Sequence, residues 1–582
     1  MGAKKITFAR DATGLVREIG WFTALSIVLC NVIGGGINFY STTAQAQLPL
    51  ANIPLAFVIG AVPAILAAVV FALFGVAMPR SGGGYVYISR TMSPFLGFLT
   101  SFVWWCSVSL SFGIIAFLTV SFLGFGFQIM GRYPTDGLYQ LGSWMQSTEA
   151  GVYVGIVLVI IFFVVTVAGL NIFGKVLNAM LIVAAAGSFF MILYLLAGNE
   201  LNAMANYALA FSNPMDMALS GGLDNAVTRL YAMFYMDYLE STAFAYTDAA
   251  ITGQGLQDTF SAVALLTWAY IGFTASTFVG GEVKEPNRSM VISVIYGTII
   301  IAAYYIGISF LAYNSSGLFG NVYAFATGTQ GSAEWALLMN PTWYGALPTP
   351  SIPLPLGLGD VSLWSFVAPY VLPSFPAPMA ASLPFYASLQ IPNASGPIAV
   401  LVAFSAAIWL MNDIPPFLIT AARTTFAWSF DRAFPVKFAE VSERWHSPIY
   451  ATTLVMIVAV IGVIVSSYGV FMAAFQTVVM DTFMLWIGCM AAVLFPYIKP
   501  EIWERGLKWR VGAMPAITLI GALGFIATTF VIITAIQSLD IQGLLVNLIV
   551  FGLGGVIFAA YYYYNRKIGV DMATIYAEIP PE

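Results

Sequence analysis

Ala24-Leu-Ser-Ile-Val-Leu-Cys30-Asn31-Val-Ile33-Gly34-Gly35-Gly36-Ile37-Asn38 is an apolar run with three consecutive glycines at its centre. No Asp, Glu, Lys or Arg occurs between Glu18 and Arg80, or between Arg90 and Arg132. A membrane-spanning helix needs about 20 apolar residues, so the first gap holds two spans around a turn at residues 48–54, and the second holds one long span. Across the 582 residues, 60% are hydrophobic and 8% are charged. A soluble domain carries about 25% charged residues, so this composition excludes a water-exposed globule. Three adjacent glycines at mid-span would cost a helix about 1 kcal/mol each relative to alanine. A close helix crossing is one reading, but its usual device is glycines separated by three residues. Three in a row suit an unwound segment, whose freed N–H groups can bind a carboxylate and whose carbonyls can hold a cation.

Apolar runs predict twelve spans, near 19–43, 54–78, 94–128, 150–170, 175–197, 259–281, 289–313, 397–422, 448–467, 470–496, 513–537 and 541–564. With the N-terminus on the cytoplasmic side, all 21 basic residues except Arg132 and Arg229 fall in cytoplasmic segments. That is the asymmetry of the positive-inside rule, and a miscounted helix would scramble it. The expectation is a multi-pass protein of the cell (cytoplasmic) membrane, with tails 1–18 and 565–582 both cytoplasmic. The polar start runs into a span too long for a signal core, so no cleavable secretory signal is expected. Two outer connections are long, 198–258 and 314–396, and the aromatic content of the second suggests a packed cap. Cys30, Cys106 and Cys489 lie in predicted helices and read as small buried apolar residues, not as a disulfide or metal set.

The sixth span offers a partner for the first: Trp268-Ala-Tyr270-Ile271-Gly272-Phe273-Thr274-Ala-Ser276-Thr277. If residues 19–197 and 259–496 are inverted repeats of five helices, with 513–564 as two further helices, spans one and six are equivalent. Corresponding glycine-interrupted spans then point to a binding site.

Several stretches together resemble the amino acid–polyamine–organocation superfamily of permeases. Gly34-Gly35-Gly36-Ile37 is similar to its Gly-(Ser/Ala)-Gly-Ile break, and Pro79-Arg80-Ser-Gly82-Gly83-Gly84-Tyr85 to its Pro-x-x-Gly-Gly-x-Tyr signature. Asn171-Ile-Phe-Gly174 resembles the start of helix five. The block from Tyr270 to Arg288 resembles helix six and its exit, and Arg423 to Pro435 with Ser447-Pro448 the loop after helix eight. The resemblance implies an all-α leucine-transporter-type fold with broken helices one and six, working by alternating access. It implies that a substrate α-carboxylate meets the amides of Gly34, Gly35 and Gly36. The α-amino group would meet carbonyls near Ile33, Tyr270 and Ile271, with Trp268 and Phe273 lining or gating the pocket. For both aromatics, ordinary packing is the competing reading.

This chain departs from the family pattern at three places. Asn38 stands where an aromatic is frequent, Thr274 where an acid is frequent, and residues 176–199 lack the lysine that often replaces a sodium ion. Two acids lie within spans, Asp413 and Asp481, and an intramembrane carboxylate is by default a functional candidate. The expectation is that Asp413, with Asn412, serves as proton carrier or sodium ligand. A neutral acid beside the Pro415-Pro416 kink is the alternative, and Asp481 reads as structural. Glu282 and Lys284, near Glu285 and Arg288, read as an inner gate or salt-bridge network. The single histidine, His446, falls in a loop and is a poor proton shuttle.

The predicted function is secondary transport of an amino acid or related organic amine, coupled to protons or sodium or run as an exchange. The predicted partners are the solute and membrane lipid, without nucleic acid, metal or cofactor. A sensor or channel on the same fold is the second reading. A membrane enzyme is third, since no nucleophile–base pair or metal cluster is visible, and no Walker-type loop supports ATP-driven pumping.

Overall fold

The computed structural model describes residues 12–40, 44, 48, 51–131, 136–197, 254–328, 396–467, 473–537, 539–570 and 572–580. Most of the two long connections, together with Lys4, Lys5, Arg10, Arg132 and Arg229, lies outside the described residues. The architecture is helical: α1 (Trp21–Val32), a π turn (Gly36–Tyr40), α2 (Ile53–Ala77), α3 (Gly84–Thr91), α4 (Pro94–Gly131), α5 (Gly137–Met145), α6 (Thr148–Val167) and α7 (Leu170–Ala197). After the undescribed stretch come α8 (Gln254–Thr267), a 3-10 turn (Trp268–Tyr270), α9 (Ala275–Phe278), a second 3-10 turn (Gly280–Glu282), α10 (Pro286–Met290), a π segment (Val291–Tyr296) and α11 (Gly297–Gly328). The remainder is α12 (Pro397–Phe430), α13 (Ile449–Ser466), α14 (Ala473–Ile498), α15 (Pro500–Trp503), a two-stranded hairpin (Arg510–Val511 with Met514–Pro515), α16 (Ala516–Gln537), α17 (Ile541–Lys567) and α18 (Met572–Ala577).

Among the described residues, 11 helical segments are long and apolar enough to cross a membrane. Inside hydrocarbon the backbone must satisfy its own hydrogen bonds, which helices do. The segment expected as the sixth span, 259–281, is helical only in pieces and does not count among the 11. Helix also reaches beyond the predicted limits: α8 begins at Gln254, inside the expected connection 198–258, and α11 runs on to Gly328.

The bundle is layered. Helices α4 and α12 form its centre, cemented by Trp428, whose ring lies 5.0 Å from Phe98 and 5.8 Å from Trp105. The Trp428 indole N–H donates to Ser101 Oγ at 2.8 Å, so the polar edge of a fully buried tryptophan is satisfied. Helices α6, α7, α16 and α17 lie outside and leave Ile161, Ile182, Ile526 and Ile549 exposed. In water such a surface would be an aggregation liability; against lipid it is what a multi-pass membrane protein requires.

One end of the bundle is closed by a buried ion pair and the chain's last described residues. Arg90 forms a bidentate pair with Asp431, Nη1 to Oδ2 at 2.5 Å and Nη2 to Oδ1 at 2.8 Å. Over it folds the segment 572–580: Arg90 Nε donates to the Glu578 carbonyl at 3.3 Å and Arg80 Nε to that of Pro580 at 2.7 Å. Tyr576 places its ring 5.0 Å from the Arg90 guanidinium and its hydroxyl 2.9 Å from that of Tyr85. Burial, then the nearby Asp431 charge, pushes both tyrosine hydroxyls up, so they stay protonated and able to donate. Removing one member of a buried pair strands the other charge, at about 3–5 kcal/mol. Arg90→Leu is therefore expected to destabilise the purified protein by about that amount, read by denaturation in detergent. Arg90→Leu combined with Asp431→Leu is expected to recover most of the loss; equal destabilisation of the double variant would show that the pair is not its source.

Candidate functional site

Helix α1 ends where the glycines begin. The Ile33 N–H still bonds Leu29 O at 2.9 Å, but Ile33 is itself extended (ψ 92°). Asn38 then closes the break from beyond it: its Nδ2 donates to Gly34 O at 2.9 Å, and its backbone N–H approaches the same oxygen at 3.4 Å. The departure at Asn38 thus supplies a side-chain cap for the Gly34 carbonyl. The three glycines are not equivalent. A methyl on Gly34 would sit 1.9 Å from Asp413 Oδ2, and one on Gly36 would sit 2.4 Å from Ala269 Cβ; on Gly35 it would meet Trp268 at an ordinary 3.6 Å. Two of them are required by close approach, so the cluster is a steric device as well as a weak point in a helix.

The second break lies opposite. Helix α8 tightens into the 3-10 turn Trp268–Tyr270, Ile271 is extended (ψ 137°), and Gly272 takes φ +111°, a region side-chain-bearing residues avoid. Asn31 Nδ2 donates to Gly272 O at 3.0 Å, joining the two breaks directly. Tyr305 of α11 joins them again: its hydroxyl lies 2.5 Å from Val32 O and 3.0 Å from Ala269 O, one proton shared between two carbonyls.

Between the breaks lies a narrow, partly open cavity of about 20 Å³. Of the residues expected at a binding site, Gly35, Gly36, Trp268, Ile271 and Asp413 line it. The others stand behind its wall. Gly34 backs onto Asp413, and Gly272 is held by Asn31. The Tyr270 hydroxyl donates to Phe57 O at 2.9 Å, which makes it a strut between the 3-10 turn and α2. Phe273 and Thr274 are buried, and the Thr274 carbonyl accepts from Thr277 Oγ1 at 2.7 Å. Ile33 and Asn412 are buried outside the lining, Asn412 with neither side-chain polar atom hydrogen-bonded.

Sequence reasoning singled out Asp481 without placing it at the cavity, and missed Ser107, Ser111 and Tyr305. Asp481 of α14 lines the cavity together with Asp413 and accepts from Ser107 Oγ of α4 at 2.9 Å. Ser107 and Ser111 line it too, yet two serines in an apolar span send no signal. Tyr305 sits in an apolar run and is recognisable only once the carbonyls it bridges are known. Each aspartate keeps an Oδ1 with no hydrogen-bond partner.

Towards the end carrying most of the basic residues, Glu282 pairs with Arg423 of α12, not with neighbouring Lys284. The pair is bidentate, Nε to Oε1 at 2.7 Å and Nη2 to Oε2 at 2.8 Å, and buried. The Glu282 carbonyl accepts from the N–H groups of Glu18 and Ile19, both at 3.0 Å. Lys284 is exposed and enters through its backbone, donating to Ile19 O at 2.8 Å. The Arg288 guanidinium lies 5.8 Å from the Trp21 ring centre. The start of the first span and the exit of the sixth segment are thereby strapped together.

The described residues form a multi-pass helical bundle in which two facing helix breaks flank one cavity. The sequence model described as amino acid permease matches residues 19–558, and the chain belongs to that family. It is also similar to solute carrier family 7 member 13 of Mus musculus, 29% identical over 171 residues, which is 25% of this chain and 35% of that one. Asc-type amino acid transporter 1 of Homo sapiens is 32% identical over 92 residues, 16% of this chain and 18% of that one; the Rattus norvegicus protein is likewise 32% identical over 92 residues. These matches span little more than a third of the relatives' length at most.

The glycine geometry makes a contrast testable. Gly34→Ala is expected to cut ligand binding at least tenfold, because the methyl displaces Asp413, whereas Gly35→Ala is expected to stay within about twofold. Equal effects at the two positions would remove the steric argument. Tyr305→Phe leaves two carbonyls without their shared donor and is expected to cost about 1–3 kcal/mol, read as a lowered melting temperature.

Proposed function

We propose that the chain is a secondary transporter of amino acids or related organic amines that works by alternating access. In this reading it has twelve spans, the broken segment 254–282 being the sixth, arranged as two inverted repeats of five helices plus two further helices, with both termini cytoplasmic. One observation carries the proposal: two helix breaks face each other across a cavity lined by two aspartates and are tied by Asn31 and Tyr305. Family membership supports it, as do the printed names of the relatives, which are those of a solute carrier and an amino acid transporter.

The chemistry follows from the backbone. Amides at Gly34, Gly35 and Gly36 are the candidates for holding a substrate carboxylate, and carbonyls around Ile33, Tyr270 and Ile271 for its ammonium. Asp413 supplies the coupling carboxylate. Pro415 and Pro416 lack N–H groups, so the carbonyls four residues before them, at Met411 and Asn412, have no ladder donor there. Carbonyls released from the helical ladder next to an acid suit a proton or sodium ion as the coupling species. The Glu282–Arg423 pair with the Ile19 strap closes the end assigned to the cytoplasm, and release to that side requires parting it.

Uptake into liposomes tests the reading. Labelled substrate is expected to accumulate saturably and to follow an imposed proton or sodium gradient, and Asp413→Asn is expected to lose accumulation while keeping passive exchange. Saturable binding without flux would favour a sensor instead. Full gradient dependence in Asp413→Asn would remove Asp413 from coupling.

A further inference from the structure

We infer that Asp481 selects for a substrate bearing a cationic side chain, so that the solute class is basic amino acids with an ammonium or guanidinium group. The inference rests on the transport reading above and concerns the same cavity.

The charge inventory of the cavity carries it. Two acids line the cavity, Asp413 from α12 and Asp481 from α14, and no Lys, Arg or His does. Both are at least nine-tenths buried, and each keeps one carboxylate oxygen without a partner. The two buried arginines of this region are committed elsewhere, Arg423 to Glu282 and Arg90 to Asp431. Two carboxylates in a water-poor cavity repel each other and lose several kcal/mol of hydration each unless positive charge joins them. With the solute's own ammonium at the carbonyls of the breaks and the coupling ion at Asp413, Asp481 is the acid left for a second positive group on the solute.

The walls favour the same visitor. Trp268 and Phe417 line the cavity beside the acids, and aromatic faces attract ammonium and guanidinium groups. Ser107 of α4 holds Asp481 Oδ2 at 2.9 Å and Thr477 of α14 also hydrogen-bonds the carboxylate, while Oδ1 has no partner, which leaves one oxygen for the solute. A wholly neutral substrate would leave that oxygen to a proton, and this is the opposing outcome that the experiment must separate.

The decisive comparison uses near-isosteric ligands that differ in charge: arginine against citrulline, and lysine against norleucine. Thermal stabilisation of the purified full-length protein is measured for each, in sodium chloride and in choline chloride, followed by uptake of the labelled ligands into liposomes. Arginine and lysine are expected to act at concentrations at least tenfold lower than their neutral counterparts, and Asp481→Asn is expected to erase that difference. If Asp481→Asn does not fold, Ser107→Ala is expected to reduce the preference severalfold, and an unchanged preference there would overturn the inference. Citrulline and norleucine binding as well as the cations would also overturn it and leave the transport reading standing. Sodium alone stabilising the protein, with no preference among ligands, would do the same. If none of these ligands binds or crosses, nor any other amino acid or amine, the transport reading falls together with the inference.

Discussion

A polypeptide inside a bilayer cannot leave backbone groups without partners, because no water is present to take them. Everything around the cavity follows from how this chain meets that demand at two broken helices. Asn31 reaches from the first break to the carbonyl of Gly272 in the second. Tyr305 spreads one hydroxyl over the carbonyls of Val32 and Ala269. Asn38 folds back on Gly34. With these carbonyls occupied, what remains for the proposed solute is the glycine edge, the carbonyls around Ile33, Tyr270 and Ile271, the aromatic walls and the two carboxylates. The breaks are open in the helical sense and closed in the hydrogen-bonding sense.

Much of this was legible in the residue string because the lipid environment writes in large letters. Uncharged runs placed most spans to within a few residues, and the glycine clusters at 34–36 and 272 marked both breaks. What the string concealed was the third dimension. A helix repeats every 3.6 residues, so an apolar span buried on every side carries no stripe to show which face looks inward. Tyr270 and Phe273 sit within five residues of Trp268, yet of these three aromatics only Trp268 lines the cavity. Asp481 was read as structural because nothing along the chain reveals that α14 turns it towards Asp413. Glu282 was grouped with Lys284 by proximity in sequence, whereas its partner, Arg423, is contributed by a different helix. Serines 107 and 111 are ordinary helix residues until the cavity gives them a function.

The closed end shows the same economy in a different medium. Two bidentate arginine–carboxylate pairs, Arg423–Glu282 and Arg90–Asp431, sit near the end of the bundle, each joining helix pieces that are distant in sequence. A buried ion pair is weak evidence of stability, because desolvation offsets the attraction. Its value is geometric, since a planar fork meets a carboxylate in one orientation and fixes the register of the elements that carry them. The segment 572–580 packs over one pair, and the Ile19 strap braces the other.

The contact between Gly34 and Asp413 has a consequence of another kind. With only a glycine Cα between the carboxylate and the unwound backbone, the cation proposed at Asp413 and the solute proposed at the break would share a wall one atom thick. Any displacement of that backbone on solute binding changes the field at the acid, and any ion at the acid reshapes the amides offered to the solute. Thermodynamic linkage then makes the effect mutual: whatever factor the ion adds to the solute's affinity, the solute adds to the ion's. A side chain at position 34 would act as a spacer, and the two occupants would bind as strangers.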